Sequence, residues 1–181
     1  MGMPARHYYT AADLLALPDD GTKREVVHGE LLVSPAPRML HQRIVGRLFH
    51  FLFEYLGHHP IGEVHPGGNL HVGADSLVIP DLLAIDLESA RSGDWTRVMR
   101  PLLVVEVLSA STARQDRFTK RRLYQEVGVP LYWLVDADDR TVEVWTPESL
   151  FPVTEREEIR WHPAGAAAPL VVSLEELFRA P

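Results

Sequence analysis

Three ionisable residues occupy positions where an unassisted charge is expensive. Glu106 lies inside LLVVEVLS (102–109), a run that is apolar on both faces, as in a central strand covered on two sides. Asp81 follows Pro80 at the start of the apolar segment DLLAIDL. Lys120 shares a helical stripe with Asp116, Leu123, Tyr124 and Val127 by steps of three and four residues, the stripe that should face a sheet. An ionised carboxylate in a strand core is costly unless it is paired, hydrogen-bonded or bound to metal.

Each residue also has an ordinary reading. Glu106 can end a strand or pair with a structural arginine, Asp81 can be a strand-entry turn acid, and Lys120 can snorkel to water or pair with Asp116 one turn back. Together the three form a chemical set. Magnesium, or manganese in its place, takes hard oxygen ligands, so Asp81 and Glu106 on neighbouring strands would hold it between them. The Lys120 ammonium would position a water or stabilise charge on a pentavalent phosphorus. These are the groups that phosphodiester hydrolysis needs.

The elements that must position them follow from periodicity and punctuation. TAADLLALPDD predicts a short helix ended by Pro18, and KREVVHGELLVS two strands around His28 and Gly29, where Gly29 supplies a positive φ. In HQRIVGRLFHFLFEYL, Ile44, Val45, Leu48, Phe49, Leu52, Phe53 and Leu56 recur at helical spacing, with Arg43, Arg47, His50 and Glu54 opposite. IGEVHPGGNLHV and SLVIPDLLAIDL read as strands around a Gly-rich turn, and 88–100 as a polar loop. TARQDRFTKRRLYQEVG reads as a helix closed by Gly128, and PLYWLVDADDRTVEVW as a hairpin with an acidic turn. The stretch PESLFPVTEREEIRWHPAGAAAPLVV reads as irregular, before a final helix opened by Ser173 and Glu176. Helices between strands predict an α/β (α+β) fold, a mixed central sheet flanked by helices.

Composition narrows the classes. At 181 residues, 46% hydrophobic and 24% charged, the chain predicts one compact domain over 1–181 with a real core. There are no cysteines, which excludes disulfides, thiol catalysis and thiolate zinc sites. MGMPARHYYT has no apolar run of the signal-peptide kind and no segment is long and apolar enough to span a membrane, so the expected location is the cytoplasm. A net charge of −7 argues against a surface basic all over, though not against a local basic path.

The arrangement of Pro80-Asp81 with Glu106 inside VVEVLS resembles the PD-(D/E)XK nuclease superfamily. VVEVLSASTARQDRFTKRRLYQEVGVPLYWLVD is similar to the Uma-type bacterial family named "putative restriction endonuclease" within it, formerly a domain of unknown function. The resemblance runs from KREVVHGELLVSPAP and His41-Gln42 through YWLVD. One departure is clear: the lysine expected two residues after the acid is Leu108 here. The resemblance implies that this lysine has moved to the next helix, as Lys120. It further implies a restriction endonuclease-like core in which Asp81 and Glu106 are metal ligands, the Val107 carbonyl a third, and Lys120 the transition-state stabiliser. Glu25 and His41 match family positions, although a hairpin acid and a helix-start histidine are usually structural.

The expected partner is DNA. Arg114, Arg117, Arg121 and Arg122 crowd one segment, and Arg38, Arg43 and Arg47 another; such patches can follow a phosphate backbone, or simply form a solvated face. A homodimer is expected because one site cuts one strand and a two-fold pair addresses both, with PLYWLVD or the terminal helix as contributors. Two other readings compete. One is an inactive nuclease-fold module that binds DNA or protein. The other is a transition-metal site at His58, His59, His65 and His71 in a small barrel, although the spacings match no strong motif and helices interrupt the strand pattern.

Overall fold

The computed structural model describes residues 7–98 and 100–181; residues 1–6, on which part of the leader reading rests, lie outside them. Three layers are built around a six-stranded mixed sheet. In chain order its strands are β3 (Gly62–Pro66), β6 (Leu82–Asp86), β7 (Leu103–Val107), β8 (Tyr132–Asp136), β9 (Thr141–Trp145) and β10 (Val153–Glu155), in the spatial order β10-β9-β8-β7-β6-β3. Only β7 and β8 run parallel. A smaller four-stranded sheet has the order β2-β1-β5-β4, from β1 (Lys23–Val27), β2 (Glu30–Ser34), β4 (Leu70–His71) and β5 (Leu77–Val78).

β7 explains the layering. All five of its residues are buried, and side chains alternate across a strand. Leu103, Val105 and Val107 enter the cluster with Ile44, Leu48 and Leu52 of the long helix α2 (Met39–His58). Val104, with Leu108 just past the strand, joins the other cluster, with Val27, Leu32, Leu123 and Tyr124. Glu106 shares that second face, which is covered by the small sheet and by α4 (Arg121–Glu126). A third cluster seats α1 (Ala11–Leu15), capped by Thr10, on Val26 and Leu77.

The β1–β2 hairpin turns on two left-handed residues, His28 (φ 49°) and Gly29 (φ 77°), which matches the right-handed twist of its strands. On α2, Ile44, Leu48, Leu52, Tyr55 and Leu56 form the buried stripe. Phe53, expected on that stripe, is 61% exposed, because it lies a full 100° step beyond Leu52.

Three other expectations need correction. The 88–100 segment is not a plain loop: α3 (Leu87–Ser92) is capped by Asp86 and followed by a 3₁₀ turn at Trp95–Arg97. A helix of six residues gives too little periodicity to read. The stretch after β9 is more regular than expected, with β10 and the hairpin of β11 (Glu158–Trp161) and β12 (Leu170–Ser173) preceding α5 (Leu174–Leu177). The helix after β7 is π-helical over Gln115–Lys120 before it becomes α4, and it ends beside Gly128 at φ 72°. In PLYWLVD, Tyr132–Val135 are buried in an interior strand between β7 and β9, and the exposed part is Pro130 at its start.

No helix among the described residues is long and apolar enough to cross a membrane. Leu48 is fully buried where α2 meets the sheet. Leu48→Ala removes a packed side chain there, and urea unfolding should show a loss of about 2–5 kcal/mol with an unchanged m value.

Candidate active site

The two sheets meet at the acids singled out in the sequence. In the antiparallel β6–β7 pair, Leu82 faces Val105, so the same register continued by one residue sets Asp81 opposite Glu106. Asp81 Oδ2 accepts a hydrogen bond from the Val107 amide at 2.8 Å, which ties the residue before β6 to the end of β7. Lys23, Glu25 and Val27 alternate onto one face of β1, and Val27 joins the core beneath the large sheet. Lys23 and Glu25 therefore point at the same seam.

Asp81 and Glu106 have opposite electrostatic surroundings. Burial alone would raise Asp81, but the hydrogen bond from His41, the Lys23 charge and the Val107 amide outweigh it and bring the carboxyl down to about 2. His41 Nε2 lies 2.9 Å from Oδ2; an ionised carboxylate only accepts, so Nε2 carries the proton and donates. Lys23 Nζ lies 3.3 Å from Oδ1. Around Glu106 burial dominates: its carboxyl is pushed up to about 8, against the pull of Lys120 and Lys23 and with the help of Asp81 and Asp116. Glu106 Oε1 accepts from Lys120 Nζ at 2.9 Å and from the Tyr124 hydroxyl at 3.0 Å.

Lys120 is the centre of the cluster. Its Nζ is 2.7 Å from Glu25 Oε2, 2.9 Å from Glu106 Oε1 and 3.5 Å from Asp116 Oδ1, and its side chain is 3% exposed. Burial opposes this charge, but the three acids hold the ammonium's pKa well above its ordinary value. Glu25 is fixed from its other oxygen, which accepts the Ile79 amide at 2.7 Å. The lysine neither snorkels to water nor turns to the far side of the sheet. Its approach to Asp116 is real, but Asp116 is the most distant of three partners.

A cleft of about 630 Å³ opens over this seam, lined by Lys23, His41, Asp81, Glu106, Ser109 and Lys120 among others. Four carboxylates, Glu25, Asp81, Glu106 and Asp116, face two ammonium groups, and Asp116 Oδ1 is buried without a hydrogen-bond partner. That surplus of hard oxygen donors fits a divalent cation. Among the described residues no three His, Asp or Glu form a ready-made metal cage; Lys120 stands where three of the acids converge.

The other residues predicted from sequence divide. Glu25 and His41 both reach the site. The arginines do not form one free patch: Arg117 bridges Asp136 and Glu143, Arg121 lies 4.6 Å over the Trp145 ring and bonds Gln125, and Arg122 pairs with Glu126. Arg114 is exposed. Arg47 ties α2 to the Leu177 and Arg179 carbonyls. His59 stacks on Tyr55 and His65 sits edge-on to Trp95, so the histidine segment makes no common metal site among the described residues. Lys23 was not anticipated; its signal was the two-residue spacing to Glu25. Nor was the bond from Tyr124, whose place on the Lys120 stripe gave no sign of a polar role.

The two acids give the metal-free protein a pH signature. Glu106 keeps its proton to about 8 in the native state but has an ordinary value of 4.5, so the native state binds the extra proton in that window. Stability therefore falls as pH rises through it. Asp81 acts with the opposite sign: its contribution is present above 3.8 and is lost as pH falls toward about 2. Thermal unfolding in chelator should show the upper decline in the wild type and a flatter profile in Glu106→Gln. An equal slope in both would assign the decline to other groups.

Comparison with known proteins agrees with this architecture. No curated protein matches the chain. A crystal structure described as a "putative nuclease belonging to DUF820" from Anabaena variabilis superposes with a TM-score of 0.75 at 22% identity, covering 94% of this chain and 97% of that one. At such identity the likeness establishes a shared mixed α+β fold and no more. The family model described as "Putative restriction endonuclease" (Uma2) matches residues 11–174, nearly the whole chain. With that match, the chain belongs to the Uma2 family.

Proposed function

We propose that the chain is a metal-dependent endonuclease that hydrolyses DNA phosphodiester bonds. It would act as a single cytoplasmic domain over 1–181 and pair as a homodimer, one site for each strand of a duplex. The observation that carries the reading is the pairing of Asp81 with Glu106 across β6 and β7, with Lys120 bonded to Glu106 at the floor of a cleft.

Asp81 and Glu106 would hold magnesium or manganese, with the Val107 carbonyl as a third ligand. A divalent ion held there would supply Lewis-acid polarisation of the phosphate and of a nearby water. The protein's own groups prepare that position. His41 and the Val107 amide keep the Asp81 carboxylate ionised and aimed. Lys120 and Tyr124 fix Glu106 through one oxygen. Glu25 and Asp116 hold the Lys120 charge in place, from where it adds positive potential to the floor of the cleft. Ser109 lines the wall, where its hydroxyl suits a phosphate oxygen.

A second reading rests on one observation: Lys120 is enclosed by three carboxylates, which also suits a nuclease fold that binds DNA without cutting it. The deciding experiment incubates the protein with plasmid and single-stranded DNA in magnesium, manganese or chelator, beside Asp81→Ala and Glu106→Ala. The enzyme reading expects metal-dependent cutting that falls roughly 100-fold or more in both variants. Wild type that binds DNA yet cuts nothing with any metal would establish the inactive module.

A further inference from the structure

We propose that Lys23 is the residue that contacts the nucleic-acid phosphate in the cleft, with Lys120 serving as a counter-charge held behind it. The inference rests on the nuclease reading of this site and assigns the two lysines different tasks.

The two ammonium groups differ in what they have left to offer. Lys120 has three carboxylate neighbours within 3.5 Å and almost no exposed surface. An ammonium has three donors, and to reach a phosphate Lys120 would have to abandon a buried acid, leaving that acid uncompensated. Lys23 has one carboxylate, Asp81, at the loose distance of 3.3 Å, and its side chain is 31% exposed. It lines the cleft from β1, on the opposite side of the seam from β7.

Neighbouring cations do not compete for the task. Arg38 also lines the cleft but pairs with Asp138, and both side chains are more than 60% exposed, so its charge is largely screened by water. Arg117, Arg121 and Arg122 are held by partners outside the cleft. Lys23 is thus a cation partly shielded by protein, open to the cleft and in contact with a proposed metal ligand. A phosphate drawn to Asp81's side of the cleft meets that ammonium first. Replacing a carboxylate oxygen with a phosphate oxygen keeps the charge matched.

Salt dependence of binding separates this role from a structural one, because each phosphate neutralised by a cation adds about 0.9 to the slope of log affinity against log salt. The probe is a short DNA duplex, titrated in chelator so that cutting plays no part, against wild type, Lys23→Gln, Lys23→Arg and Lys120→Met. Lys23→Gln should lower the slope by about one and weaken binding, with a melting temperature near that of the wild type. Lys23→Arg should restore the slope. Lys120→Met, read on protein that keeps a wild-type melting transition, should change the slope by much less than one, whereas a drop of about one there with none in Lys23→Gln assigns the phosphate contact to Lys120 and overturns the proposal. A wild-type slope in Lys23→Gln overturns the proposal while leaving the nuclease reading intact. Wild type that shows no salt-dependent binding overturns the nuclease reading itself, and this assignment with it.

Discussion

The contact between the Lys120 ammonium and the Glu106 carboxyl group sits at the junction of every layer. Glu106 comes from the central strand, Lys120 from the helical segment that crosses from β7 to β8, and Glu25, the third member, from the smaller sheet. A buried charge pair of this kind is weak evidence for stability, since desolvation can exceed the attraction. Its value here is positional. Acids from three different elements converge on one ammonium, so the layers close around it with these side chains in register.

The same balance explains why the two metal-ligand candidates differ so widely. Asp81 lies at the mouth of the seam, where a histidine, a lysine and a backbone amide can all reach it. Glu106 is one strand further in, with only Lys120 and Tyr124 on one of its oxygens. Pairs of carboxylates driven apart in this way are a recurrent feature of catalytic sites. One group stays charged and fixed while the other holds a proton that a bound cation would displace.

Much of this was legible in the sequence, and for identifiable reasons. A carboxylate inside an apolar strand and a lysine on an apolar helical stripe are each costly enough to stand out without a structure. The long α2 and the β8–β9 hairpin declared themselves by sustained periodicity. What escaped was short or depended on three dimensions. α3, β10, β11 and β12 are too brief for a pattern to accumulate. The π-helical turn leaves no simple mark in residue spacing, and the partners of the arginines lie on β8 and β9, well removed along the chain from Arg117 and Arg121. Lys23 looked like an ordinary strand-end charge, because only the docking of one sheet on the other reveals what it faces.

That docking gives the alternation on β1 one more consequence. Lys23 meets Asp81 and Glu25 meets Lys120, so neighbouring positions on one face carry opposite signs toward opposite partners. A two-residue slip in one direction would press Glu25 against Asp81 and offer Val27 to the lysine. The reverse slip would set Lys23 against Lys120 and leave Asp81 facing Gly21. Facing alone does not forbid either shift, since a two-residue slip keeps every side chain on its own face. The charges do, and β1 is in effect keyed: its acid and its base act as a lock that admits a single alignment of the small sheet on the large one.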